Sequence, residues 1–130
     1  MIEQKTSGLG FQVSGSHYTN MKMQPVELAY RLGATPCFCK LAKYLTRDKG
    51  DKSVNLQKAR HCVTLEMDLE QLAVGYCAVL TNYNTVAQIQ DFTEDKLIQR
   101  ALISMWHMDY TETLKVVDQI ISRYTGSLGC

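Results

Sequence analysis

Apolar residues recur along this chain at intervals of three and four rather than two, a pattern that predicts helices and almost no strand. Pro25 suits a first helical position and Gly33 a stop, with Val26, Ala29 and Tyr30 forming a short apolar face between them. The punctuation then repeats: Thr35 caps, Pro36 occupies the first turn, and Phe38, Leu41, Ala42 and Leu45 keep helical spacing up to Arg47. After the polar connection RDKGDKS at 47–53, Ser53 caps a long third helix. Its stripe runs through Ala59, Cys62, Leu65, Leu69, Leu72, Ala73 and Tyr76 to about Leu80. TNYN at 81–84 breaks the pattern, and VAQIQDF at 86–92 has no assignable type. Thr93 precedes Glu94 and Asp95, acidic residues that favour a helix start, and Leu97, Ile98, Ala101, Leu102, Met105 and Met108 continue the period. Asp109-Tyr-Thr-Glu112 has capping-box spacing, so a fresh helix carries Leu114, Val117, Ile121 and Tyr124 to Gly126, the alternative being one kinked helix. The expectation is an all-α fold, a compact helical domain of about five helices at 17–130. A flexible arm precedes it at 1–16, where Gly8, Gly10 and Gly15 accompany no sustained period.

Composition narrows the function more than the fold. With 130 residues the chain can bury one core without disulfides or metal, and 45% hydrophobic residues with a net charge of +1 argue against disorder. Near-neutral charge also places nucleic acid last among the partners to expect. Five cysteines, odd in number and without secreted-scaffold spacing, together with an N-terminus lacking an apolar signal stretch, point to a reducing cytoplasm. The longest apolar stretch, LAVGYCAVL at 72–80, falls short of the roughly 20 residues that cross a bilayer, so no membrane is expected.

The most distinctive cluster is CKLAKYLTRDKGDKSVNLQKARH at 39–61. Lys43 and Arg47 are four apart and share a face of the second helix, while Lys58 and His61 are three apart and share a face of the third. If these helices pair around the 47–53 connection, both faces converge on one groove, with Lys49 and Lys52 supplied by the loop. Guanidinium and ammonium groups of that kind suit phosphate, although helical lysines and arginines also simply form a wet face. No P-loop or dinucleotide fingerprint is present, since Gly50-Asp51-Lys52-Ser53 lies between helices and lacks the first glycine. Glu66 and Glu70, four apart, read as a solvated face rather than a metal site, and His107 reads as a helix-packing residue.

Taken in order, His17-Tyr18, Gln24-Pro25, Lys43-Tyr44-Leu45-Thr46-Arg47, Lys49 or Lys52, and Leu56-Gln57-Lys58-Ala59-Arg60-His61 resemble the small bacteriophage nucleotide-kinase-like family. These are P-loop-less phage proteins, one type of which is a deoxynucleoside monophosphate kinase. The resemblance covers residues 17–66 and leaves 67–130 as additional helices. It departs from the family pattern at Cys39-Lys40, where Gly-Asn is usual, and at Asn55, where Asp is usual. The resemblance implies nucleotide binding and phosphoryl transfer with Mg²⁺: Lys43, Arg47 and Lys58 clamp phosphates, and His17 and Tyr18 close over the nucleotide. It also implies that Gln24 reads a base edge and that Tyr44, Lys49, Lys52 and His61 complete the substrate site. The competing expectation is a non-enzymatic phage effector that binds a host or immune protein or sequesters a nucleotide, motivated by the extra residues 67–130. A homo-oligomer formed through exposed apolar stripes is expected in either case.

Overall fold

The computed structural model describes residues 21–72 and 84–125, and every regular element among them is helical. α1 spans Pro25–Leu32, α2 Pro36–Thr46, α3 Lys52–Leu69, α4 Asn84–Phe92, α5 Lys96–Trp106 and α6 Tyr110–Tyr124, with a single 3-10 turn at Glu70–Leu72 after α3. The all-α expectation holds, with six helices rather than five, because VAQIQDF belongs to α4. There Thr85, Ile89 and Phe92 recur at helical spacing and are buried, a stripe too short to stand out in the sequence.

The helix ends follow from side chains that satisfy otherwise orphaned amides. Thr35 accepts from the Phe38 N–H to open α2, and Asp109 accepts from the Glu112 N–H to open α6, so the capping box starts a separate helix. Asp51, not Ser53, caps α3, accepting from the amides of Ser53 and Val54 at 2.9 and 3.3 Å. A carboxylate two residues ahead of the serine brings both the acceptor and the charge that a helix N-terminus favours. Asp95 does the same for α5 and is also held by Arg123 at 2.8 Å. Gly33 closes α1 at a φ of 67°, where a side chain would be strained. The expected ends of the third helix at Leu80 and of the last at Gly126, and the arm itself, lie outside the described residues.

Packing joins α2, α3, α6 and α5 into a closed ring in which each helix touches the next, with α1 and α4 packed together against its α2 and α5 members. The ring's centre is filled by fully buried Phe38, Leu41, Leu45, Leu56, Val63, Leu102, Met105, Val116 and Val117. Burial rotates some expected faces. α1 buries Pro25, Leu28 and Ala29 and leaves Tyr30 86% exposed, because Leu28 rather than Val26 or Tyr30 faces the ring. In α3 the buried line runs through Asn55, Leu56, Ala59, Cys62, Val63 and Glu66, and Leu69 and Leu72 emerge on the surface. His107 is exposed rather than packed, its ring edge-on to Trp106 at 5.4 Å, because it lies past the last turn of α5. No helix among the described residues is long and apolar enough to cross a membrane.

The turn between α5 and α6 is tight. His107, Met108 and Asp109 donate backbone N–H bonds to Ile103, Met105 and Ser104, which places Met108 at a φ of 62° in the left-handed region. A methionine there carries a steric cost of about 1 kcal/mol that glycine does not. Met108→Gly is expected to stabilise the domain by about 1 kcal/mol, or about 4 °C in melting midpoint. Calorimetric melting checks it, and a lowered midpoint would show that the methionine side chain contributes more packing than the turn costs.

Candidate functional site

Because Phe38, Leu41, Ala42 and Leu45 turn α2 inward, its opposite ridge is left to Lys40, Lys43 and Arg47, one helical turn apart from each other. Lys43 and, from α3, Lys58 come together over the half-buried Tyr44, their Nζ atoms 5.1 and 5.7 Å from the ring centroid. Each contact contributes about 0.5–1 kcal/mol at such exposure, and the pair concentrates positive charge around one phenol. Ion pairing sets Arg47 apart from the other arginines. Arg31 pairs with Glu27, Arg60 with Asp118, Arg100 with Glu112 and Arg123 with Asp95. Arg47 is the one arginine among the described residues with no carboxylate partner, and Lys40, Lys43 and Lys58 likewise form no ion pair there.

The loop after α2 serves a different purpose. Lys52 Nζ donates to the carbonyls of Leu45 and Arg47 at 3.4 and 3.2 Å, capping α2, so its ammonium is committed to backbone. Buried Asn55 donates from Nδ2 to the Lys49 carbonyl at 2.9 Å, fixing the loop around Gly50, whose φ is 80°. Only an amide can make that bond; a carboxylate has no hydrogen to give. The Lys49 side chain is exposed on this loop, and His61 is exposed on α3 one turn beyond Lys58.

Among the described residues a concavity lies between α1 and α2. It is a cleft of about 580 Å³ whose wall combines Val26, Ala29, Tyr30 and Ala34 with Cys39 and Lys40. A smaller hollow of about 170 Å³ adjoins it through Val26 and Cys39, and brings Gln24 and Lys43 together. The combined shape is an apolar trough with lysines along one edge, within the size range of small-molecule sites. Of the residues singled out in the sequence, the structure unites Gln24 with Lys43, and Lys43 with Tyr44 and Lys58; His17 and Tyr18 lie outside the described residues. Lys40, Cys39 and Tyr30 were not expected at a site. Extending the Lys43–Arg47 spacing back by three residues would have reached Lys40.

Behind the cleft lies a buried carboxylate. Glu66, read from the sequence as solvated, is 3% exposed, because α6 and the start of α2 close over it. Thr35, which also lines the cleft, donates its hydroxyl to Glu66 Oε1, and Tyr110 donates to Oε2 at 3.2 Å. Burial raises the Glu66 pKa, the Thr35 and Tyr110 hydrogen bonds oppose this, and the charge of Glu70 adds to it, leaving the group above its ordinary value of 4.5. Burial likewise pushes the neighbouring Cys62 thiol up to about 11 and raises that of Cys37, so both stay protonated and unreactive at neutral pH.

Among the described residues no group of three or more His, Cys, Asp or Glu side chains is placed to hold a metal ion. Near the lysines, the Asp51 carboxylate is taken up in capping α3. No protein-family model, curated protein or solved structure matches the chain.

Two outcomes follow from these bonds. Asn55→Asp is expected to lower stability by about 1–3 kcal/mol, since the Lys49 carbonyl loses its donor and a buried charge takes its place; denaturant unfolding measures it. Glu66, with its folded pKa above the unfolded one, keeps a proton in the folded state that the unfolded chain has released. Stability is therefore fullest below the ordinary carboxylate value and falls as pH rises through the folded one. Urea titrations from pH 4 to pH 8 are expected to show this fall in the wild type and to lose it in Glu66→Gln.

Proposed function

We propose that the α1/α2 face binds a nucleoside phosphate, the base lying along the apolar wall and the phosphates meeting Lys40, Lys43 and Lys58. The observation that carries this reading is the junction of an apolar cleft with cations that no carboxylate neutralises: Lys40 in the larger hollow, Lys43 in the smaller, and Lys58 beside Tyr44. An anion placed there offsets the mutual repulsion of the ammonium groups, and each charge-assisted contact is worth about 1.5–3 kcal/mol. Tyr30, 86% exposed at the cleft wall, offers a ring on which a base can stack. Gln24 lines the smaller hollow beside Lys43, where a base or sugar edge would lie.

The ordered motifs that resemble the phage nucleotide-kinase-like family support one reaction: transfer of the γ-phosphoryl group of a nucleoside triphosphate to a nucleoside monophosphate. A monophosphate oxygen attacks the γ-phosphorus, the bond to the bridging oxygen breaks, and the diphosphate leaves. This chemistry demands alignment and neutralisation of charge more than covalent help, which is what lysines and an arginine without a carboxylate partner such as Arg47 provide. Mg²⁺ would arrive with the triphosphate.

Titration calorimetry with nucleoside mono- and triphosphates, with and without Mg²⁺, tests the reading. Micromolar to millimolar binding is expected, weakened about tenfold or more by Lys43→Ala, with stability in melting lowered by no more than about 0.5–1 kcal/mol, the contribution of its contact with Tyr44. Absence of heat across the panel overturns it. Binding without turnover in a coupled assay removes the transferase activity and keeps the site.

A further inference from the structure

Thr35 stands between two environments. Its residue forms part of the cleft wall, and its hydroxyl is bonded on the inner side to a carboxylate sealed from solvent. The same oxygen accepts the Phe38 N–H at 3.1 Å, so one of its lone pairs is fixed by the α2 cap whatever else happens. What remains variable is one hydrogen and one lone pair, and Glu66 decides how they are used. An ionised carboxylate can only accept, so it holds the Thr35 hydrogen inward. A neutral carboxyl group carries its own hydrogen and can donate to the second lone pair of the hydroxyl.

We propose that Glu66 controls the cleft through Thr35: with Glu66 ionised the hydroxyl hydrogen is drawn inward to Oε1, and with a proton on Oε1 it is released toward the cleft, where it donates to a bound oxyanion. Glu66 is thus a positioning residue, acting on a ligand it does not touch. The groups facing it are Thr35 and Cys37 at the start of α2, Cys62 and Glu70 along α3 and the turn after it, and Tyr110 on α6, with Lys40 acting on the two thiols from the cleft side. Burial keeps both thiols protonated through neutral pH. The raised affinity of Glu66 for its proton brings the switch closer to neutrality than an exposed glutamate would allow. Tyr110, donating to Oε2, leaves Oε1 as the oxygen that communicates with the cleft. The inference rests on the reading that the α1/α2 face is a binding site, but not on the ligand being a nucleotide.

The test uses the full chain and 1-anilinonaphthalene-8-sulfonate, an aromatic anion whose sulfonate stays ionised throughout. Its dissociation constant is measured by fluorescence from pH 5 to pH 8, with circular dichroism confirming the fold at each point. In the wild type it is expected to rise about three- to tenfold with pH, the range that one gained or lost hydrogen bond produces. Glu66→Gln, whose amide donates to Thr35 as the protonated acid does, is expected to keep the tight low-pH value at every pH. Thr35→Ser retains the wild-type profile, and Thr35→Val, lacking the hydroxyl, loses it. Titrations elsewhere in the chain are common to all the variants, so the difference between wild type and Glu66→Gln is the readout. Identical profiles in those two proteins overturn the coupling while leaving the cleft a binding site. Absence of dye binding at every pH overturns both. Failure of nucleoside phosphates to displace a bound dye overturns the nucleotide reading and leaves the coupling standing.

Discussion

The carboxylate of Glu66 is the constraint on which the rest of the arrangement depends. A charge-bearing group can lie inside a small helical domain only if other elements bring it hydrogen-bond donors, and here the donors come from two different helices. Thr35 must begin α2 at one height along α3, and Tyr110 must begin α6 at another. Apolar packing alone tolerates sliding of one helix past its neighbour by part of a turn, whereas two bonds to one carboxylate do not. The turn at Met108 is explained in the same way, since its left-handed backbone carries the chain sharply from α5 into α6 and delivers Tyr110 to the buried oxygen. Replacing such a group by a hydrocarbon of similar shape can raise stability, so its value lies in register rather than in net free energy.

With α2 fixed at its start by Thr35 and at its end by Lys52, its outer ridge is a rigid mount for Lys40 and Lys43. Four arginines meet carboxylates across or along helices, whereas Arg47, Lys40, Lys43 and Lys58 form no ion pair among the described residues. Surface ion pairs contribute little individually, so the contrast concerns where positive potential is left available rather than how the fold is held. An uncompensated ridge bordering an apolar cleft suits ligands that are flat at one end and anionic at the other.

Helices were legible in the sequence because their signals are local: Pro25 and Gly33 bracket α1, Thr35 and Pro36 open α2, and Asp109 with Glu112 opens α6. Nine residues of α4 carry too few turns for periodicity to separate them from a loop. Burial was less legible, because it is decided by neighbours distant in the chain. Nothing near Glu66 in sequence announces Tyr110, which is 44 residues away, and an isolated glutamate on an amphipathic helix looks the same whether it faces water or a threonine. Lys43 and Lys58 were expected on two helical faces around one connection, and their ammonium groups lie over the one ring of Tyr44. The cleft was not expected, since it is a property of how α1 lies against α2, and Val26 and Tyr30 read equally well as core.

Cys39 lines both hollows, and its thiol is subject to opposed influences: burial raises its pKa, while Lys43 and Lys40 lower it. An anion seated against those two lysines cancels the influence that favours the thiolate and also covers the sulfur. The reactivity of this thiol toward an alkylating reagent is therefore tied to what occupies the trough. Cys39 thus gives the chain a chemical gauge of its own occupancy, set into the wall it reports on.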